Sequence, residues 1–309
     1  MKYKKRLLFS PDFFGLLMIF SYLCISELKV MSMDKQGYIQ FLSGFSQKKS
    51  GKVNSYVQAI KILDELLPYQ DKINLNGQSL YDIDESATLE QVLHLVNDEV
   101  KKLKEGKQNI FDHGKPTQIS YPRDNFCSAA LRGLIEYAQK LQFEKADDIV
   151  AKEKNPQTIS TKLTNHFGLD KEGEDVVSVS KRRKGQDYFR RMILENYCSR
   201  CALTGIDIPA LLLASHIIPW AVNKKQRLNP CNGICLSALY DKAFDKGYIS
   251  FSPDDYSVIL SSALRENEAK DYYEQHFGCI IGRKLIMPNN YLPNRDFLAY
   301  HREEVFVGE

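Results

Sequence analysis

His216, Asn232, Asp241 and Asp245 are the residues of this 309-residue chain whose types and spacing could do chemistry. His216 closes an apolar run, and a basic, proline-marked excursion follows from Pro219 to Pro230. Asn232-Gly233 comes next, then Asp241 nine residues beyond Asn232, and Asp245 one helical turn later. A neutral imidazole can take a proton from water near pH 7. Two carboxylates four residues apart share one face of a helix and can aim at one hard cation. With Asn232 as a positioning amide, these are the parts needed for metal-assisted phosphodiester hydrolysis.

The run Ala214-Ser215-His216-Ile217, with Pro219-Trp220, is followed by Asn229-Pro230, Asn232-Gly233, Asp241, Ala243-Phe244-Asp245 and Gly247. This pattern resembles the HNH endonucleases of the ββα-metal type. It is most similar to the branch found among bacterial restriction endonucleases, with an Ala-Ser-His-Ile-x-Pro-Trp signature. The approach Arg183-Lys184-Gly185-Gln186 with Phe189-Arg190, and the ending Leu298 to Arg302 with Val305-Phe306, extend the likeness over roughly residues 178–309. The resemblance implies His216 as general base and Asn232 as the residue that ties the interstrand loop. It sets Asp241 where the name-giving second histidine usually falls, with Asp245 as a further ligand. Carboxylates in place of imidazoles favour Mg²⁺ or Mn²⁺ over Zn²⁺. Ser215 departs from the pattern, since the residue before the base is often a ligand and a serine hydroxyl is a poor one. His301 is one candidate to complete the shell, or else a packing residue of the C-terminal helix.

Plainer readings stand beside these. A lone strand histidine is commonly a hydrogen-bonded core residue, Asp245 could be a solvated helix-end carboxylate, and Asn-Gly is a common turn. Cys198-x-x-Cys201 invites zinc, but its second pair is missing, because Cys231 and Cys235 straddle Asn232-Gly233. Trp220 could meet DNA or anchor its loop to the core.

The elements that must position these groups follow from pattern. Phe189, Ile193 and Leu194 predict a helix over Gly185–Tyr197. Leu211–Ile218 and Gly233–Leu236 should form a hairpin, and Ser237–Lys246 the α element, ended by Gly247 as C-cap. Upstream, Tyr56/Ile60/Leu63/Leu67, Leu89/Val92/Val96/Val100/Leu103 and Cys127/Leu131/Leu134/Ala138/Leu141 are helical stripes, with Thr88 and Gln91 as a capping box. The expected fold class is therefore α+β. A mostly helical N-terminal domain (33–150) and a polar linker (151–180), with a short strand at Val176–Val179, precede a ββα-metal nuclease domain (181–309).

Composition is that of an ordinary globular chain, 43% hydrophobic and 26% charged. Residues 33–150 hold 15 basic against 17 acidic side chains, whereas residues 181–200 hold seven against two. Cationic charge is thus focused ahead of the hairpin, where a phosphate backbone would be held. Arg182, Arg183, Lys184 and Arg190, with Lys224, Lys225 and Arg227 on the excursion, are the candidate DNA contacts. Seven thinly spread cysteines suggest a reducing compartment, the cytoplasm. Residues 1–32 form an apolar leader, read as an upstream start-site artefact with translation from Met31 or Met33, or as an anchor. No small-molecule cofactor is expected, and cutting both strands would call for a homodimer or sequential visits. The expected activity is metal-dependent DNA cleavage in restriction or defence. The alternatives are a non-catalytic DNA-binding module and a membrane-tethered effector.

Overall fold

The computed structural model describes residues 33–45, 51–115, 118–170 and 175–308. The expected leader lies outside them. The chain divides into two compact units, Met1–Leu141 and Gln142–Glu309.

The first unit is helical. Helices α1 (Lys35–Phe45), α2 (Lys52–Leu66), α3 (Ser86–Lys104) and the N-terminal half of α4 (Phe126–Lys152) close over one apolar core. The three stripes predicted from sequence lie in it: Ile60 and Leu63, Leu89 and Val96, and Leu131 and Leu134 are fully buried. Helix α3 starts three residues earlier than the capping box implies. Glu85 takes the N-cap position, and Thr88 donates its hydroxyl to the Glu85 carboxylate at 3.1 Å.

The second unit has a mixed α/β core. Its linker reading is corrected by helix α5 (Pro156–His166), which buries Ile159 and Leu163 in that core. Asn155 caps α5, its Oδ1 accepting the Gln157 and Thr158 N–H groups, and Pro156 sits at the first helical position. Asn155-Pro156 therefore starts a helix, because proline lacks only an N–H that the first turn leaves unpaired. The strand expected at Val176–Val179 is likewise replaced by helix α6, which runs from Asp175 to Asn196.

Strands β1 (Leu212–His216) and β2 (Gly233–Ser237) pair antiparallel, with His216 opposite Gly233 and Ser215 opposite Ile234. Helix α7 (Ala238–Asp245) follows directly. Both α6 and α7 pack on this hairpin, and every residue of β2 is buried. A second hairpin, β3 (Ile249–Phe251) with β4 (Val258–Leu260), and the helix α8 (Arg295–Glu304) belong to the same unit. The turn at Gly247 has φ +71°, and a Cβ there would lie 2.0 Å from the Val305 carbonyl oxygen. Glycine is required on both counts. Among the described residues no helix is long and apolar enough to cross a membrane.

Candidate active site

His216 ends β1. Its ring stacks on Phe189 of α6 at 3.8 Å between centroids and meets the edge of Trp220 at 5.5 Å. Nε2 lies 2.9 Å from the Arg227 carbonyl oxygen. A carbonyl can only accept, so Nε2 carries the proton and, in the neutral ring, Nδ1 holds the lone pair. Among the described residues no hydrogen bond takes up Nδ1. Burial pushes the His216 pKa down to about 4, and the nearby Arg227 cation acts in the same direction. The ring is thus neutral at pH 7 in one tautomer, the state a general base needs.

Phe189 can reach the imidazole because Gly233, opposite His216, has no side chain. A Cβ there would meet Ile193 at 2.5 Å and Phe189 at 2.7 Å. Gly233 has φ −138° and opens β2, so the Asn-Gly pair is not a tight turn. The glycine serves close packing.

Asn232 is 1% exposed. Its Oδ1 accepts the Ile218 N–H at 2.8 Å, and its Nδ2 donates to the Ile218 and Gln226 carbonyls at 3.1 and 3.0 Å. Both amide hydrogens are spent on backbone. Asn232 therefore braces the loop that delivers the Arg227 carbonyl to His216.

Asp241 is held on the other side of the hairpin. Ser215 Oγ donates to its Oδ1 at 2.7 Å. Consecutive strand residues point to opposite faces, so Ser215 with Asp241 and His216 with Phe189 lie across β1 from one another. Burial raises the Asp241 pKa, the Asp245 charge raises it further, and the Ser215 hydrogen bond opposes them. Asp245 is 62% exposed at its side chain and sits 3.7 Å from Lys242 Nζ. Two hard carboxylates suit an ion that keeps much of its water, as Mg²⁺ does. Among the described residues no group of three or more His, Cys, Asp or Glu could hold a metal. His301 does not join Asp241 and Asp245. It is 1% exposed, stacks on Phe244 at 3.8 Å, and bonds through Nε2 to the Phe244 carbonyl and through Nδ1 to Ser250 Oγ.

The predicted cations divide. Arg182 and Arg183 on α6 and Lys224 and Lys225 on the loop are exposed. Arg227 lies over the Trp220 ring at 5.1 Å and donates Nε to the Trp220 carbonyl at 2.9 Å. Its pKa is lowered by burial and then by the neighbouring Arg182 charge. Like charges brought together beside His216 favour an anion there. Lys184 is only 6% exposed, which removes it from a DNA-facing surface. Arg190 is half-buried, and its guanidinium donates to the Leu212 and Pro209 carbonyls. Helical spacing carried this signal, since Lys184 precedes the buried Tyr188 by one turn on the inner stripe of α6. Cys201 is a buried thiol that accepts the Thr204 and Ser237 N–H groups at 3.4 and 3.3 Å.

Sequence reasoning missed Phe189 as the platform for His216, and the Arg227 carbonyl that selects its tautomer. A backbone partner leaves no mark on residue type, although the Phe189 stripe was visible. No curated protein matches the chain. The family model described as HNH endonuclease matches residues 201–252, the span that holds β1, the basic loop, β2, α7 and β3.

Proposed function

We propose that the second unit is a metal-dependent DNA endonuclease hydrolysing phosphodiester bonds, acting in the cytoplasm in restriction or defence against foreign DNA. The observation that carries the reading is a ring kept neutral by burial whose Nε2 proton is committed to the Arg227 carbonyl, so that among the described residues its Nδ1 lone pair is uncommitted. His216 then accepts the proton of the attacking water. Arg182 and Arg227 hold the phosphate against it, and Lys224, Lys225 and Arg183 extend the cationic surface along the backbone. Asp241, with Asp245, would hold Mg²⁺ or Mn²⁺. A bound ion would supply charge stabilisation at the phosphoryl and leaving oxygens.

A DNA-binding module without catalysis is favoured by one observation, the separation of Ser215–Asp241 and His216 across β1. Supercoiled-plasmid nicking with Mg²⁺ decides between the two. The wild type should nick, and His216→Ala should lose about a hundredfold or more, the usual contribution of a general base. Equal nicking by both proteins, or none by either, would defeat the catalytic reading.

A further inference from the structure

Three consecutive backbone carbonyls of the basic loop each take a side-chain donor from a different element. Lys225 C=O accepts Ser160 Oγ at 2.7 Å, Gln226 C=O accepts Asn232 Nδ2 at 3.0 Å, and Arg227 C=O accepts His216 Nε2 at 2.9 Å. The first donor comes from α5, outside the residues matched to the family. Ser160 is fully buried, and its helix is anchored by Ile159 and Leu163 in the core. Gln157, one turn earlier, accepts the Gln226 side chain at 2.8 Å and reaches the Lys225 carbonyl at 3.5 Å. The loop is thus pinned from outside by α5 and from inside by Asn232, and its next carbonyl fixes the imidazole.

We propose that Ser160, assisted by Gln157, is a positioning residue for His216: by holding the Lys225 carbonyl it sets the Arg227 carbonyl, and with it which ring nitrogen carries the proton. The proposal rests on His216 being the base. Only two peptide planes separate the Lys225 and Arg227 carbonyls, with soft φ and ψ between them, so once the outer anchor is released Asn232 alone restrains the loop and the Arg227 carbonyl gains freedom. Without that acceptor, nothing holds the proton on Nε2, and the ring is free to carry it on Nδ1, where no base remains.

The test is ¹⁵N NMR of the His216 ring in the full chain at pH 7, assigned against His216→Gln, alongside plasmid nicking with Mg²⁺. The wild type should show the Nε2–H tautomer alone. In Ser160→Ala the Nδ1–H tautomer should appear, and kcat should fall about fivefold, as expected for one lost hydrogen bond, with KM for DNA unchanged. Gln157→Ala, at an exposed position, should move both readouts the same way by a smaller amount, and it decides the matter if Ser160→Ala does not fold. An unaltered tautomer in a folded variant overturns the proposal, as does a loss confined to KM. The tautomer is read without turnover, so a chain that never nicks would refute the nuclease reading and still test this one.

Discussion

Two histidines in this unit donate Nε2 to a backbone carbonyl and stack on a phenylalanine, yet they differ at the other ring nitrogen. His301 spends Nδ1 on the Ser250 hydroxyl, whereas His216 leaves Nδ1 uncommitted beside Arg227. Residue type did not distinguish them; the second hydrogen bond does. The two acidic candidates differ in the same way. Asp241 is half-buried and oriented by Ser215, while Asp245 is exposed and only loosely paired with Lys242. Replacing Asp241 by Ala should cost on the order of a hundredfold in Mg²⁺-dependent nicking, as loss of a charge-stabilising group does. Asp245→Ala should cost less than about tenfold, because a flexible, hydrated carboxylate adds little. Titrating Mg²⁺ for both variants tests this order, and a larger loss at Asp245 would reverse the assignment.

At the scale of elements, the β1–β2 register is what seats His216, since it sets Gly233 opposite it and opens room for Phe189. Gly233→Ala forces Ile193 and Phe189 away. Overpacking of this kind should destabilise the unit by about 1–3 kcal/mol and lower nicking. Thermal unfolding and nicking of the one variant check both effects, and an unchanged melting temperature would show that the helix yields freely. The ββα elements were legible because their signals are local: an apolar run into His216, an apolar β2, and Gly247 where a helix must end. Helix α5 was misread because polar Asn155-Pro156 looks like a breaker, although the same pair caps and starts helices. The charge run at 181–191 was legible as cationic but not as divided. Lys184 turns inward on a helix whose inner stripe also holds Tyr188 and Phe189, and Arg190 donates to backbone carbonyls beside β1.

For the molecule as a whole, the buried histidines make stability depend on pH. Burial lowers both the His216 and His301 pKa values from 6.5 to about 4. Between these limits the unfolded chain binds protons that the folded one refuses. Their contribution is therefore complete above pH 6.5, is lost as pH falls toward 4, and is constant below that. Each histidine accounts for on the order of 3 kcal/mol over this interval. Asp64, Asp147 and Asp241, whose pKa values burial raises, offset part of it with the opposite sign. Proton NMR of the histidine Cε1–H groups should show both rings neutral at pH 5.5, and urea unfolding should show stability falling from pH 7 to 4.5. A midpoint near 6.5 for either ring would mean that solvent reaches it.

The segment that carries the family pattern begins at residue 201, whereas the imidazole in it leans on a ring from residue 189 and, through the loop, on a hydroxyl from residue 160. Transplanted alone into another scaffold, residues 201–252 would bring the reactive side chains but leave behind what orients them. A portable version of this site must start no later than Asn155.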